Sequence, residues 1–132
     1  MFLMILLMIE KHRMKKIGRI TQQVIDLLGL SITADTPIFI GQKNTEHMKS
    51  RHPYEFEVYY PQIEDILSNP DYVGYNTHNG SIDYVKLFRV NSNYIQISVR
   101  ISGSGQYFAR TLFQLSTYKA ERYIEQGSLK SL

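Results

Sequence analysis

Eleven consecutive residues, Lys43-Asn44-Thr45-Glu46-His47-Met48-Lys49-Ser50-Arg51-His52-Pro53, hold two of the chain's four histidines and three cations. Imidazole titrates near pH ~6.5, so each histidine can take or give a proton at neutral pH. Phosphodiester transfer from a ribose needs little more. One group takes the 2′-OH proton, another protonates the departing 5′ oxygen, and cations or hydrogen-bond donors meet the charge growing on the phosphorus oxygens. His47 is the candidate base and His52 the candidate acid or phosphate contact. Arg100, Arg110 and Thr111, far along the chain, are the candidate transition-state partners. Lys43, Arg51, Ser102 and Tyr107 are candidate substrate contacts.

Helical periodicity of roughly 100° per residue turns His47 and Arg51 about 40° apart but His47 and His52 about 140° apart. The imidazoles therefore meet only if the helix end brings them to one cleft. Asn44 or Thr45 can cap that helix and Pro53 ends it. His12 and His78 read as solvated. Arg100 and Arg110 have a competing use as ion-pair partners of acids elsewhere.

Those residues need elements to hold them. Ile17, Ile20, Val24, Leu27 and Leu28 recur at helical spacing with Gly29 as C-terminal cap, predicting one amphipathic helix. Pro37-Ile38-Phe39-Ile40 reads as a short strand. Pro61 opens a helix burying Ile63, Ile66 and Leu67, and Ser68-Asn69-Pro70-Asp71 ends it. Residues 72–75 are extended, Asn79-Gly80 signals a hairpin, and residues 82–90 form the returning strand. Residues 94–102 alternate: Ile95, Ile97, Val99 and Ile101 face one way, Gln96, Ser98, Arg100 and Ser102 the other. Gly103-Ser104-Gly105 turns the chain into residues 106–114. A three-residue loop there pairs Arg100 with Phe108 and sets Arg110 opposite Ser98; one residue of slip sets Thr111 there instead. Ser116 or Thr117 caps a last helix that Gly127 closes. The expected fold is α+β: N-terminal helices on a curved antiparallel sheet of about four strands, then a C-terminal helix.

The expected organisation is an N-terminal appendage over residues 1–16 and a single domain over residues 17–132. The first nine residues are apolar but far short of the ~20 that span a bilayer. Their charges follow the apolar run, the reverse of a secretory signal. With no cysteine, disulfides and thiolate metal sites are excluded, and a reducing, cytoplasmic setting is expected. The net charge of +3 is unevenly spread. Residues 54–83 carry six acids and no Lys or Arg, and residues 84–120 carry five cations and no acid. Such a basic stretch suits local binding of a polyanion. No metal or cofactor is expected: His-x4-His matches no standard ligand pair, and no phosphate-binding glycine loop or nucleophile elbow occurs.

The order of motifs resembles the phage-associated branch of the barnase–EndoU–colicin–RelE-like nucleases. The likeness rests on Ile38-Phe39-Ile40, His47-Met48-Lys49-Ser50-Arg51-His52-Pro53, Ile66-Leu67-Ser68-Asn69-Pro70-Asp71-Tyr72-Val73-Gly74, Tyr84-Val85-Lys86, Val99-Arg100-Ile101-Ser102 and Tyr107-Phe108-Ala109-Arg110-Thr111-Leu112. The resemblance implies a metal-independent endoribonuclease, often a toxin acting on tRNA or mRNA and held by an antitoxin or immunity protein. It implies that a histidine of the early helix, His47 or His52, works with Arg100, Arg110 and Thr111 on the late strands. The other reading is an inactive nucleic-acid-binding, phage-structural or protein-interaction module on the same fold.

Overall fold

The computed structural model describes residues 14–132. The expected appendage over residues 1–16 lies outside the described residues up to residue 13, but Lys15 and Lys16 already pair in the sheet. The elements are β1 (Lys15–Ile20), α1 (Gln22–Leu28), β2 (Thr36–Ile40), α2 (Gln42–Arg51) and α3 (Pro53–Tyr59). A 3-10 turn (Tyr60–Gln62) leads to α4 (Ile63–Ser68) and β3 (Tyr72–Asn76). Then come β4 (Ser81–Phe88), β5 (Asn93–Ile101), β6 (Tyr107–Leu115), α5 (Thr117–Gln126) and β7 (Lys130–Ser131). The fold is α+β, with one seven-stranded sheet ordered β1-β2-β6-β5-β4-β3-β7, where about four strands were expected. All pairings are antiparallel except β2 with β6.

The strand alternation divides the sheet into two faces. Ile82 and Tyr84 of β4, Ile95, Ile97 and Val99 of β5, and Leu112 of β6 are buried together with Val24 of α1, Met48 of α2, Tyr59 of α3 and Ile66 of α4. Each such side chain contributes about 1.5–3 kcal/mol of burial free energy, and together they fix α1 to α4 on this face. On the other face Val85, Leu115, Ala120 and Leu129 make a smaller cluster that seats α5. The rest of that face carries polar side chains with Phe108 and Phe113 among them.

The helix expected from residue 17 to 28 is instead a strand and a shorter helix. Ile17 and Ile20 are spaced as in a helix, yet both face the core from β1, because the register shifts between Lys16 and Gly18. The shift is a bulge at Ile17, which turns a three-residue spacing toward one face. Thr21 then caps α1 by accepting a hydrogen bond from the Val24 amide at 3.3 Å, and Gly29 closes it as expected.

α2 begins earlier than expected, at Gln42. Asn44 caps it from within, its Oδ1 accepting from the Gly41 amide at 2.9 Å. His52 leaves helical geometry (φ −138°, ψ 67°), as the residue before a proline tends to, and Pro53 starts α3, a helix not expected from the sequence. At the far edge Gly74 lets β3 approach the segment after α5: a Cβ there would collide with the Ser128 carbonyl oxygen. Among the described residues no helix is long and apolar enough to cross a membrane.

Candidate functional site

On the face that seats α5, β4, β5 and β6 set polar side chains shoulder to shoulder. Asp83 lies opposite Ser98, Ser98 opposite Thr111, and Gln96 opposite Phe113. At the hairpin end Arg100 pairs with Phe108, as a three-residue loop requires. Between these pairs the register shifts, so that Val99 pairs with Ala109 and Ser98 with Thr111. Arg110 is the extra residue of a bulge. Bulges re-aim side chains; this one turns Arg110 onto the face that already carries Arg100 and Thr111. The two registers left open by the sequence are thus both realised, one on each side of Arg110.

A cavity of about 280 Å³ is lined by Asp83, Gln96, Ser98, Arg100, Arg110, Thr111 and Phe113. It continues into a hollow of about 540 Å³ that shares Asp83, Gln96 and Phe113 and adds His78, Lys119 and Tyr123. Beyond Arg110, a third hollow of about 630 Å³ runs between the start of α2 and the β5–β6 loop.

The arginines at one end of this groove, Arg100 and Arg110, are not ion-paired among the described residues, although Asp83 lines the same cavity. The competing use expected for them is therefore absent there. Arg110 donates from Nη2 to the Ile101 carbonyl at 3.3 Å, while its buried Nε has no partner. Burial, and then the Arg100 charge, push its pKa down. A desolvated cation beside a like charge is costly unless an anion joins it. The middle of the groove is organised differently. Asp83 Oδ1 accepts from Ser81 Oγ and Ser98 Oγ, both at 2.8 Å. Ser98 Oγ in turn accepts from Gln96 Nε2 at 3.2 Å. Burial raises the Asp83 pKa, and the two serine bonds oppose that shift.

His52 is half-buried at the α2–α3 joint, its ring centroid 5.8 Å from that of Phe113. It packs beside Phe113, one of the residues lining the groove, without itself lining any of the three hollows, and its Nδ1 is 4.0 Å from Glu55 Oε2. His47 does not join it. The side of α2 lining the third hollow carries Gln42 and Glu46, hydrogen-bonded to each other at 3.0 Å. His47 is about 100° round the helix from Glu46 and exposed. Lys43 lines the third hollow together with Arg110. Arg51 is exposed and lines none of these hollows. Ser102 sits in the β5–β6 turn, its Oγ 2.7 Å from Ser104 Oγ. Tyr107 packs against the helix-side core, and burial followed by the Tyr75 phenol raises its pKa.

Asp83, Gln96 and Ser98 complete the groove without having been candidates. The alternations Ser81-x-Asp83 and Gln96-x-Ser98-x-Arg100 carry the signal, but only the pairing of β4 with β5 joins them. His78 is solvent-exposed as expected, yet it rims the larger hollow. Among the described residues no three His, Asp or Glu side chains converge as a metal site.

Residues 15–122 match the family model described as phage-Barnase-EndoU-ColicinE5/D-RelE like nuclease 3. No curated protein and no solved structure gives a significant match to the chain.

Proposed function

Since the chain belongs to the phage-Barnase-EndoU-ColicinE5/D-RelE-like nuclease family, we propose that it is a metal-independent endoribonuclease whose active site is the groove at Arg100, Arg110 and Thr111. The observation that carries this reading is the bulge. Two guanidinium groups that form no ion pair among the described residues and a hydroxyl line one cavity around it, a setting that suits a phosphodiester. His52 takes the 2′-OH proton. The 2′ oxygen closes on phosphorus, Arg100 and Arg110 hold the charge on the equatorial oxygens, and Thr111 orients the phosphate. The 5′ oxygen leaves with a proton from solvent on the open side, and a cyclic phosphate remains. His47, off the groove, has no part in this sequence. Lys43 extends the cationic track toward the next phosphate, and Arg51, Ser102 and Tyr107 are left outside the chemistry.

The substrate class is tRNA or mRNA, and the setting is that of a toxin restrained by an immunity partner. Labelled tRNA and mRNA incubated with the protein in EDTA test the reading. Cleavage by the native chain, lost in Arg110→Ala and His52→Ala but kept in His47→Ala, is the expected result. RNA that is bound in a salt-dependent way yet left intact favours the inactive RNA-binding module. Growth arrest on expression without a partner is expected of a toxin, and normal growth at high yield counts against one.

A further inference from the structure

The apolar side of the sheet runs on past the helices that cover it. In β5, Ile95, Ile97 and Val99 are fully buried, and Ile101, next on the same side by two-residue alternation, is 48% exposed. β3 repeats the pattern, with Val73 buried and Tyr75 44% exposed. Tyr75 pairs with the buried Ile82, and Ile101 with Tyr107, so one end of the sheet carries an uncovered apolar floor. Leu30 and Ile32, in the loop after α1, complete a cleft of about 320 Å³ there. Single exposed hydrophobic side chains need no explanation, but several around one hollow mark a surface that binds something.

Arg100 indicates what it binds. It lines this cleft as well as the cavity on the other side of the sheet, and among the described residues it forms no ion pair. Its guanidinium is therefore within reach of an occupant of either. RNA fits the cleft poorly: single-strand channels combine stacking rings with a track of cations, whereas this cleft has one cation and largely aliphatic walls. A protein anchor fits it well. Interface hot spots seat one large apolar or aromatic side chain in a pocket with polar groups around it, and Ser31 and Asn79 supply such groups here. A guanidinium beside that pocket selects a carboxylate, which it grips with paired N–H donors.

We infer that this cleft docks a protein partner through one large apolar side chain whose neighbouring Asp or Glu pairs with Arg100. The pairing withdraws Arg100 from an RNA phosphate, so the partner restrains the nuclease from the helix side of the sheet rather than by filling the groove. The restraint rests on the nuclease reading; the docking is measured without it.

The test is selection of a displayed library of random dodecapeptides on the full-length protein, followed by anisotropy with the selected peptides in labelled form. They are expected to share a Leu, Phe or Trp close to an Asp or Glu. Affinity should fall at least about tenfold in Ile101→Ser and in Tyr75→Ser. Both substitutions are uncharged and at exposed positions, and circular dichroism checks the fold. Peptides that bind Ile101→Ser as tightly as the native chain overturn the cleft. A double-mutant cycle between Arg100→Gln and the amide form of the peptide's acid is expected to show coupling; independent losses overturn the pairing. Weaker binding of a 2′-O-methyl RNA strand by Ile101→Ser and Tyr75→Ser, with no peptide depending on either residue, assigns the cleft to RNA and overturns the partner. Self-association of the native chain in sedimentation, lost in Ile101→Ser, overturns it in favour of a second copy. Saturating peptide is expected to slow RNA cleavage, and an unchanged rate overturns the restraint. Cleft-dependent peptides on a chain that cleaves no RNA keep the docking and remove the nuclease reading. Cleavage with no cleft-dependent peptide does the reverse.

Discussion

Two buried polar atoms among the described residues lack a hydrogen-bond partner, and they lie on opposite faces of one sheet: the Tyr84 hydroxyl and Arg110 Nε. Tyr84 points into the core beneath α1 to α4, where burial alone drives its pKa up. No ligand can reach it, so its orphaned hydroxyl is a plain cost, on the order of 1–3 kcal/mol. Arg110 Nε is equally buried, but the rest of its guanidinium side chain lines two hollows, where an anion could reach it. The contrast extends along the strands. In β5, Ile95, Ile97 and Val99 hold the helices, while Gln96, Ser98 and Arg100 between them build the groove. If the proposed site is right, one face governs stability and the other chemistry, and mutations should separate the two.

The largest separation is expected at His52. His52→Ala should lower single-turnover RNA cleavage by about 10²–10⁴-fold with an unchanged melting curve, and a loss below tenfold would remove its proton-transfer role. Arg110→Ala should follow, at about 10²–10³-fold, without loss of stability, since a desolvated charge is removed. A destabilised Arg110→Ala protein would make the residue structural and break the contrast. On the other face the signs invert. Ile97→Ala should cost about 2–5 kcal/mol in urea unfolding, with cleavage intact under conditions where the protein stays folded. Tyr84→Phe should gain about 1 kcal/mol and leave cleavage untouched.

The smallest effect belongs to Asp83 and is read against pH. Burial holds its folded pKa above the ordinary carboxylate value of 3.8, so the folded state holds its proton more tightly than the unfolded chain. The sign is therefore destabilising as pH rises: stability falls from pH 3.8 upward through the folded pKa. Asp83→Asn should melt higher than the native protein at pH 7, with the advantage closing below pH 3.8. An advantage independent of pH would mean the carboxyl is not desolvated.

Much of the groove was legible before any coordinates. The alternation from Tyr94 onward, the Asn79-Gly80 hairpin and the three-residue Gly103–Gly105 loop are local signals, and each reappears in β4, β5 and β6. The failures were of two kinds. Ile17 and Ile20 mimic a helical stripe because a bulge alters the parity of β1, and a bulge leaves no mark on apolar periodicity. α3 went unseen because its Phe56 and Tyr59 form too short a stripe to register, and it is held by packing of Tyr59 on Phe88, 4.9 Å between ring centroids. The direction of His47 was not legible for a similar reason: its spacing to Arg51 describes one face of a helix but not which way that face points.

Residue types and their two-fold alternation determined that β4 to β6 would have an apolar side and a polar side, and that the cations would fall on the polar one. They also determined where the chain turns. Tertiary structure alone decided that Arg110 and Thr111 share that side, because a single inserted residue is settled by how two strands pair rather than by either sequence. It likewise decided which imidazole packs on Phe113, since that depends on where α2 lies against β6, and which acceptors stay free at Asp83 and Gln96, since that depends on protons committed between neighbouring strands.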